Sequence, residues 1–333
     1  MAIKTTMTIR LPILVTGLAG VPGYALFRYF QKLFPGQVYG IRPRKNACVS
    51  GDTVYAFDAE EISSLEYVFE THRFGTVIDA SGNCALKACE CDTARSKLLN
   101  YAQGVETARL AKQYNSVLIR ISTDMVFSGA SGKGGYVETD PKDPIHNYGK
   151  HQSEAEEAIQ DLVPNVVILR VPLPMDYAPG GEAGAIDWIS YRFRPGRPAT
   201  LYTDEYRNPI YGDDLCRVVE YILSHEFPSG IYHCGGKRLV SLYQIGQIIN
   251  ALGGYNPDLL IGCLRTEAGP LPPRVGHLGI NCTKLYSLLP DNFIRPWPFL
   301  DSLFPTDPLW HKTVDRTPWT KFDAVDQYLV RGE

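Results

Sequence analysis

The chain predicts a doubly wound, mostly parallel α/β sheet with a smaller C-terminal α/β lobe, and three observations predict it. Short β-branched runs alternate with amphipathic helical stretches from residue 11 to about residue 170. A glycine-rich turn follows the first of those runs. The 333 residues exceed the roughly 250 to 300 at which a single core stops growing, which leaves room for a second lobe.

The elements follow in order. "ILVTG" (13–17) reads as the first strand and "YALFRYFQKL" (24–33) as the helix after it. "QVYGI" (37–41), "TVIDASG" (76–82), "VLIRIST" (117–123) and "VVILRV" (166–171) read as further strands, with "VETARLAKQY" (105–114) a helix between two of them. Strands and helices in alternation imply parallel pairing with helices on both faces. We expect a cofactor domain from residues 1–171 plus 206–237 and a substrate lobe from 172–205 plus 238–290. Residues 291–333 carry closely spaced prolines and Trp297, Trp310 and Trp319, a composition that opposes a long helix. They read as an extended arm, either packed on the body through its aromatic rings or binding a partner.

A net charge of −3 and the absence of a basic block give no electrostatic case for nucleic acid or an anionic membrane. The apolar run Leu11–Val15 is too short for a membrane span, and a cytoplasmic protein is expected. Eight cysteines are too dilute for a disulfide framework. Cys84, Cys89 and Cys91 do not follow a standard zinc spacing, so reduced thiols and no metal are expected.

The first strand ends in Thr16-Gly17-Leu18-Ala19-Gly20-Val21-Pro22-Gly23, placed between strand and helix. Glycines at that spacing allow a tight turn and close approach of backbone to a pyrophosphate, which the helix N-terminus then attracts. This is the signature of a Rossmann-type nucleotide cradle, with Gly17, Leu18, Ala19, Gly20, Val21 and Gly23 as its contacts. At the end of the second strand a carboxylate would hold the ribose of NAD; here Arg42 and Arg44 stand instead. A guanidinium pairs with a 2′-phosphate, so NADP(H) is the expected cofactor. Asp58 is the candidate for the adenine amino group, and Ala80, Ser81 and Gly82 for backbone passing along the cofactor.

"ISTDMVFSG" (121–129), "YVETDPKDPIHNYGK" (136–150), "ILRVP" (168–172), "YRNPIYGDDLCRVV" (206–219), "GIYHCGG" (230–236) and "PRVGHLGINCTKL" (273–285) together resemble the extended short-chain dehydrogenases/reductases. Within them the sequence is most similar to the dTDP-4-dehydrorhamnose reductases. The tail "WPFLDSLFPTDPLWHKTVD" (297–315) and "ILRVPLPM" (168–175) also resemble the NADP-binding regulatory β subunit of methionine adenosyltransferase. The resemblance implies hydride transfer between nicotinamide and a substrate carbonyl. Thr123, with Ser122 beside it, would hydrogen-bond the carbonyl oxygen, and Tyr148 would deliver the proton.

That family places a lysine four residues after the tyrosine, to bind the nicotinamide ribose and lower the phenol's pKa. Here the position holds Gln152, on the same helix face as Tyr148. Its amide can bond a ribose hydroxyl but carries no charge. Lys150 lies roughly 200° round the helix and cannot replace it. The resemblance also implies substrate contacts from Arg207, Asn208 and Arg274, while Asp124, beside Thr123, is a further candidate that either orients the site or caps the next turn. Glu154 and Glu156 read as the solvated face of the Tyr148 helix. Arg192, Arg194 and Arg197 read as either a diphosphate site or a basic surface stretch, and the glycine-rich loop 179–188 as either a lid or an ordinary surface loop.

The expected function is NADP(H)-dependent reduction of a keto group on a nucleotide-linked deoxysugar, with an atypical Tyr-x-x-x-Gln site. Two alternatives stay open: a silent NADP-binding regulatory subunit of a partner enzyme, and a reductase of a non-sugar carbonyl. The resemblance leaves room for a homodimer.

Overall fold

The computed structural model describes residues 6–181, 183–319 and 324–332. Seven parallel strands form the central sheet: β1 (Ile13–Val15), β2 (Val38–Arg42), β3 (Val54–Ala56), β4 (Thr76–Asp79), β5 (Val117–Thr123), β6 (Val167–Val171) and, last in the chain, β11 (Gly230–His233). Their spatial order is β11-β6-β5-β4-β1-β2-β3, so the chain winds outward from β1 first to one side and then to the other. Registers Ile13↔Val38 and Ile13↔Thr76 place β1 at the reversal point. In such sheets ligands bind beyond the carboxyl ends of the strands at that point.

Helices cover both faces, which is why the strands read as continuous apolar runs. On one side α1 (Val21–Leu33) and α8 (Gly212–Ser224) bury Leu26, Phe30, Leu215 and Val219 against the sheet. On the other, α2 (Ile62–His72), α5 (Gln103–Gln113) and α6 (Asn147–Leu162) bury Leu65, Phe69, Leu110 and Ile159. Between β4 and α5 lie the short helices α3 (Leu86–Cys91) and α4 (Thr93–Lys97) and a π-helical turn at Leu98–Ala102.

The remaining strands pair two by two: β7 (Leu173–Met175) with β10 (Pro209–Tyr211), β8 (Ala199–Tyr202) with β13 (Leu260–Cys263), and β9 (Tyr206–Arg207) with β12 (Val240–Ser241). With α7 (Ala185–Phe193) and α9 (Leu242–Leu252) they surround a second core that includes Ile189, Leu201, Ile245 and Ile249. The Pro/Trp-rich tail belongs to that core. Trp297 is fully buried, its indole N–H donating to the Leu329 carbonyl at 2.9 Å, and Trp310 and Trp319 are buried beside it. Residues 320–323 and 333 of the arm, and residues 1–5, lie outside the described residues.

Glu156 corrects the sequence reading. It is buried, not solvated: its carboxylate accepts from Arg170 Nη2 at 2.8 Å and from Ser122 Oγ at 2.6 Å. Glu154 is exposed, as expected of that face. A second buried charge group ties β9 to the end of β5, where Arg207 donates to both Asp124 oxygens (2.6 and 2.5 Å) with Glu205 at 3.6 Å.

Two outcomes follow from this packing. Trp297→Ala should destabilise the protein by about 3–5 kcal/mol in urea unfolding, the cost of emptying a large buried aromatic site; a change below 1 kcal/mol would mean that the tail is a loosely held arm. Glu205 tests the charge group. Burial pushes its carboxyl up from 4.5 to about 7, while Arg207 and Arg274 pull it back. The folded state thus keeps a proton that the unfolded chain releases between those pH values, so stability falls as pH rises through that window. Relative to Glu205→Gln, wild-type unfolding midpoints should decline from pH 4.5 to 7. Parallel curves would show a carboxyl that titrates alike in the folded and unfolded chain.

Candidate active site

The glycine turn joins β1 to α1 at the reversal point of the sheet. Gly17 has φ +73°, and a Cβ there would lie 2.1 Å from the Ala80 carbonyl oxygen, so the turn sits directly against the end of β4. A Cβ on Gly23 would meet the Gly17 carbonyl at 2.3 Å, which lets α1 start tight against the turn. Gly20 caps α1 without any side-chain hydrogen bond. The helix start therefore offers backbone N–H groups to an anion, which fits a dinucleotide pyrophosphate. Ala19 and Gly20 are partly exposed on this turn. Leu18 serves differently from the expectation: its side chain is fully buried under β2 and its N–H donates to the Ile41 carbonyl at 3.1 Å. Val21 is buried as well, touching the loop at Gly184.

Arg42 and Arg44 stand where β2 ends. Arg42 turns back on its own loop, donating to the carbonyls of Val49 (2.6 Å), Pro43 and Arg44 (both 3.1 Å). Arg44 is exposed and forms a two-pronged pair with Glu61 at 2.8 and 2.5 Å. Its exposure leaves the guanidinium accessible from solvent. Asp58 accepts from the Arg44 N–H at 3.2 Å and borders a small recess lined by Phe57, Ile62, Leu65, Leu98 and Ala102.

At the far end of the cleft β5 delivers Thr123, and α6 begins over it. His146 caps α6 through its ring, Nδ1 accepting the Gly149 N–H at 2.9 Å. Burial lowers its pKa to about 4, so the ring is neutral. This histidine cap went unread in the sequence, although a polar residue before an amphipathic run is the signal for one. Tyr148, in the first turn, is half-buried. Its hydroxyl lies near enough to Thr123 to be affected by it. Burial raises the phenol's pKa and the nearby Cys84 thiol pushes the same way, while Thr123 and Arg120 pull it down. Gln152 lies one turn further along, buried, its Oε1 accepting from Arg120 at 2.9 Å. Its Nε2 is 3.5 Å from Asn100 Oδ1 and would be 3.0 Å from a Cβ on the exposed Gly82. Lys150 is exposed, and His151 turns to Ser96 at 2.9 Å, so neither approaches the phenol's partner position.

Several expected substrate contacts are engaged elsewhere. Ser122 and Thr123 are successive strand residues and point to opposite sides, which commits Ser122 to Glu156. Asp124 is fully buried under Arg207. Asn208 fixes the Ile280 N–H at 2.9 Å. These three hold the cleft's floor together. Ser81 is buried, with its N–H on Asp79. Arg274 is the better placed group: partly exposed, over the Tyr202 ring at 5.0 Å, with a buried Nε that has no hydrogen-bond partner among the described residues. Arg192 closes its own turn on the Pro198 carbonyl, and Arg194 and Arg197 are exposed. No group of side chains suited to a metal ion occurs among the described residues.

The chain is 25% identical over 290 residues to the dTDP-4-keto-6-deoxy-D-glucose reductase of Streptomyces niveus, covering 85% of this chain and 93% of that one. It is also 25% identical over 320 residues to methionine adenosyltransferase 2 subunit beta of Xenopus laevis, covering 90% of each. Its fold is that of dTDP-4-dehydrorhamnose reductase from Bacillus anthracis str. Ames, solved in complex with NADP, with a TM-score of 0.71 at 19% identity over 87% of this chain and 96% of the other. The family profile described as the RmlD substrate binding domain matches residues 11–274, and the chain belongs to that family.

Proposed function

We propose that the protein is an NADP(H)-dependent reductase of a keto group, most suitably on a nucleotide-linked deoxysugar. The observation that carries this reading is the meeting of Thr123 and Tyr148 at the mouth of β5, with the Gln152 amide one turn below against Gly82. Bound NADPH would supply the hydride. Thr123 and Tyr148 would bond the carbonyl oxygen from the protein side, and Tyr148 would give it a proton. Gln152 and the backbone at Ala80 to Gly82 would hold the nicotinamide ribose, the glycine turn the pyrophosphate, and Arg42 and Arg44 the 2′-phosphate. Arg274 is the candidate contact for the nucleotide part of the substrate. The likeness to sugar-nucleotide reductases supports that substrate class.

A second reading is a subunit that holds NADP and serves a partner enzyme without turnover. The likeness to methionine adenosyltransferase subunit beta favours it, since that likeness spans 320 residues and so reaches beyond the family match at residue 274.

NADPH oxidation with a dTDP-4-keto-6-deoxyhexose separates the two. We expect turnover by wild type and its loss in Tyr148→Phe; unchanged turnover in that variant would sink the role of the phenol. Arg44→Ala should raise the KM for NADPH roughly ten- to hundredfold while leaving that for NADH nearly unchanged, the scale of one charged hydrogen bond. Equal effects on both cofactors would remove the 2′-phosphate contact.

A further inference from the structure

Arg120 lies on β5, three residues before Thr123, and is 1% exposed in the middle of the sheet. Its Nη1 donates to Asp79 Oδ2 at 2.7 Å and to Ser81 Oγ at 3.0 Å, and its Nη2 donates to Gln152 Oε1 at 2.9 Å. The other Asp79 oxygen is held by Thr16 Oγ1 at 2.6 Å and the Ser81 N–H at 3.0 Å. Helix α5 makes room for the pair: a Cβ on Gly104 would fall 3.2 Å from Arg120 Nη1 and 3.4 Å from Asp79 Oδ2. Asp79 of β4, Ser81 just beyond it and Gln152 of α6 thus converge on one guanidinium.

An arginine side chain has donors and no acceptor. The amide of Gln152 must therefore turn its oxygen to Arg120, and its NH2 group then faces Asn100 and the exposed backbone at Gly82. A lysine at this helix position would combine a donor and a positive charge in one ammonium group. Here the donor belongs to the helix and the charge to the strand beneath it.

We propose that Arg120 is a positioning residue of the active site: it locks the Gln152 amide with its donor toward the cofactor path and places beneath it the positive charge that position 152 lacks. The role rests on the reductase reading for its chemistry, but the orientation of Gln152 and its effect on cofactor binding do not. The guanidinium also acts on the phenol, since Arg120 is among the groups that lower the Tyr148 pKa. It follows that Gln152→Lys on its own does not repair the site, because it sets an ammonium against a buried guanidinium.

The test is a charge transfer between the two positions, read by NADPH fluorescence titration. Gln152→Lys is made in wild type and in an Asp79→Asn/Arg120→Gln background, in which the ion pair is neutral. In wild type the lysine should weaken NADPH binding roughly tenfold or more, the scale of a lost charged hydrogen bond. In the neutral background it should restore affinity to within about threefold of wild type, a coupling that independent sites do not show. Gln152→Glu guards against a background that fails to fold: Arg120 can pair with the new carboxylate, the fold persists, and the donor to the cofactor is gone. Its NADPH affinity should fall by a similar factor.

Tight NADPH binding by Gln152→Lys with Arg120 intact, or unchanged binding by Gln152→Glu, would overturn the proposal. Coupling in the titrations without turnover on any sugar nucleotide would reject the reductase reading while sustaining this one.

Discussion

Two guanidinium groups inside a parallel sheet set the terms for the rest of the molecule. Arg120 and Arg170 lie on adjacent strands and are each 1% exposed. A buried charge costs several kcal/mol unless it is paired and hydrogen-bonded, so each needs a carboxylate at a fixed place. Asp79 meets Arg120 from β4, and Glu156 of α6 meets Arg170. Gln152 also accepts from Arg120, and Glu156 from Ser122, so α6 is fastened to the sheet at two successive turns. One turn nearer the helix start stands Tyr148. A helix held in this way cannot slide or rotate without unpairing a buried charge. The phenol's position beside Thr123 is thus fixed from below, by the buried pairs of Arg120 with Asp79 and of Arg170 with Glu156.

Such an arrangement gives placement more than stability, since buried ion pairs contribute little net free energy compared with apolar packing of the same volume. The polar floor of the cleft is built on the same principle. Asp124, Arg207 and Glu205 join β5 to β9, and Asn208 joins β9 to the segment at Ile280. Residues that a sequence comparison offers as substrate contacts are used here to hold the two halves of the cleft in register. Arg274 differs from them in being partly exposed, with one buried nitrogen lacking a partner among the described residues.

Local pattern made most of the sheet legible. β-branched runs bounded by glycine turns locate the strands, and the spacing of Gly17, Gly20 and Gly23 locates the cradle, because both signals lie within a few residues. What pattern could not reach was pairing across the fold. Glu156 looked solvated because a charged helix residue usually is; its partner Arg170 is 14 positions away on another element. Yet "VLIRIST" and "VVILRV" each hold one arginine in an otherwise apolar strand. In a sheet covered on both faces, such an arginine requires a buried partner, and that was the unread signal. The second core was hidden for another reason. Its strands are two to four residues long and its tail is built of short turns, so neither period appears, although the tryptophans announced buried anchors.

A cation held in the strand acts on a proton differently from one carried on the helix. An ammonium on a flexible stem is a mobile point charge that can touch ribose and phenol directly. The guanidinium of Arg120, held between Asp79 and Ser81, touches neither; it acts through one intervening amide and is offset by a carboxylate at 2.7 Å. Burial of the Tyr148 ring outweighs it, and the phenol's pKa stands above its ordinary value. A phenol in that state keeps its proton well above neutral pH. The proton is thus held for an oxygen that gains negative charge as a hydride arrives, although the raised pKa makes the phenol a weaker acid than a free one. In the proposed reduction the phenol therefore enters in its protonated form, with Gln152 as a neutral hand on the ribose and the charge kept in the sheet below.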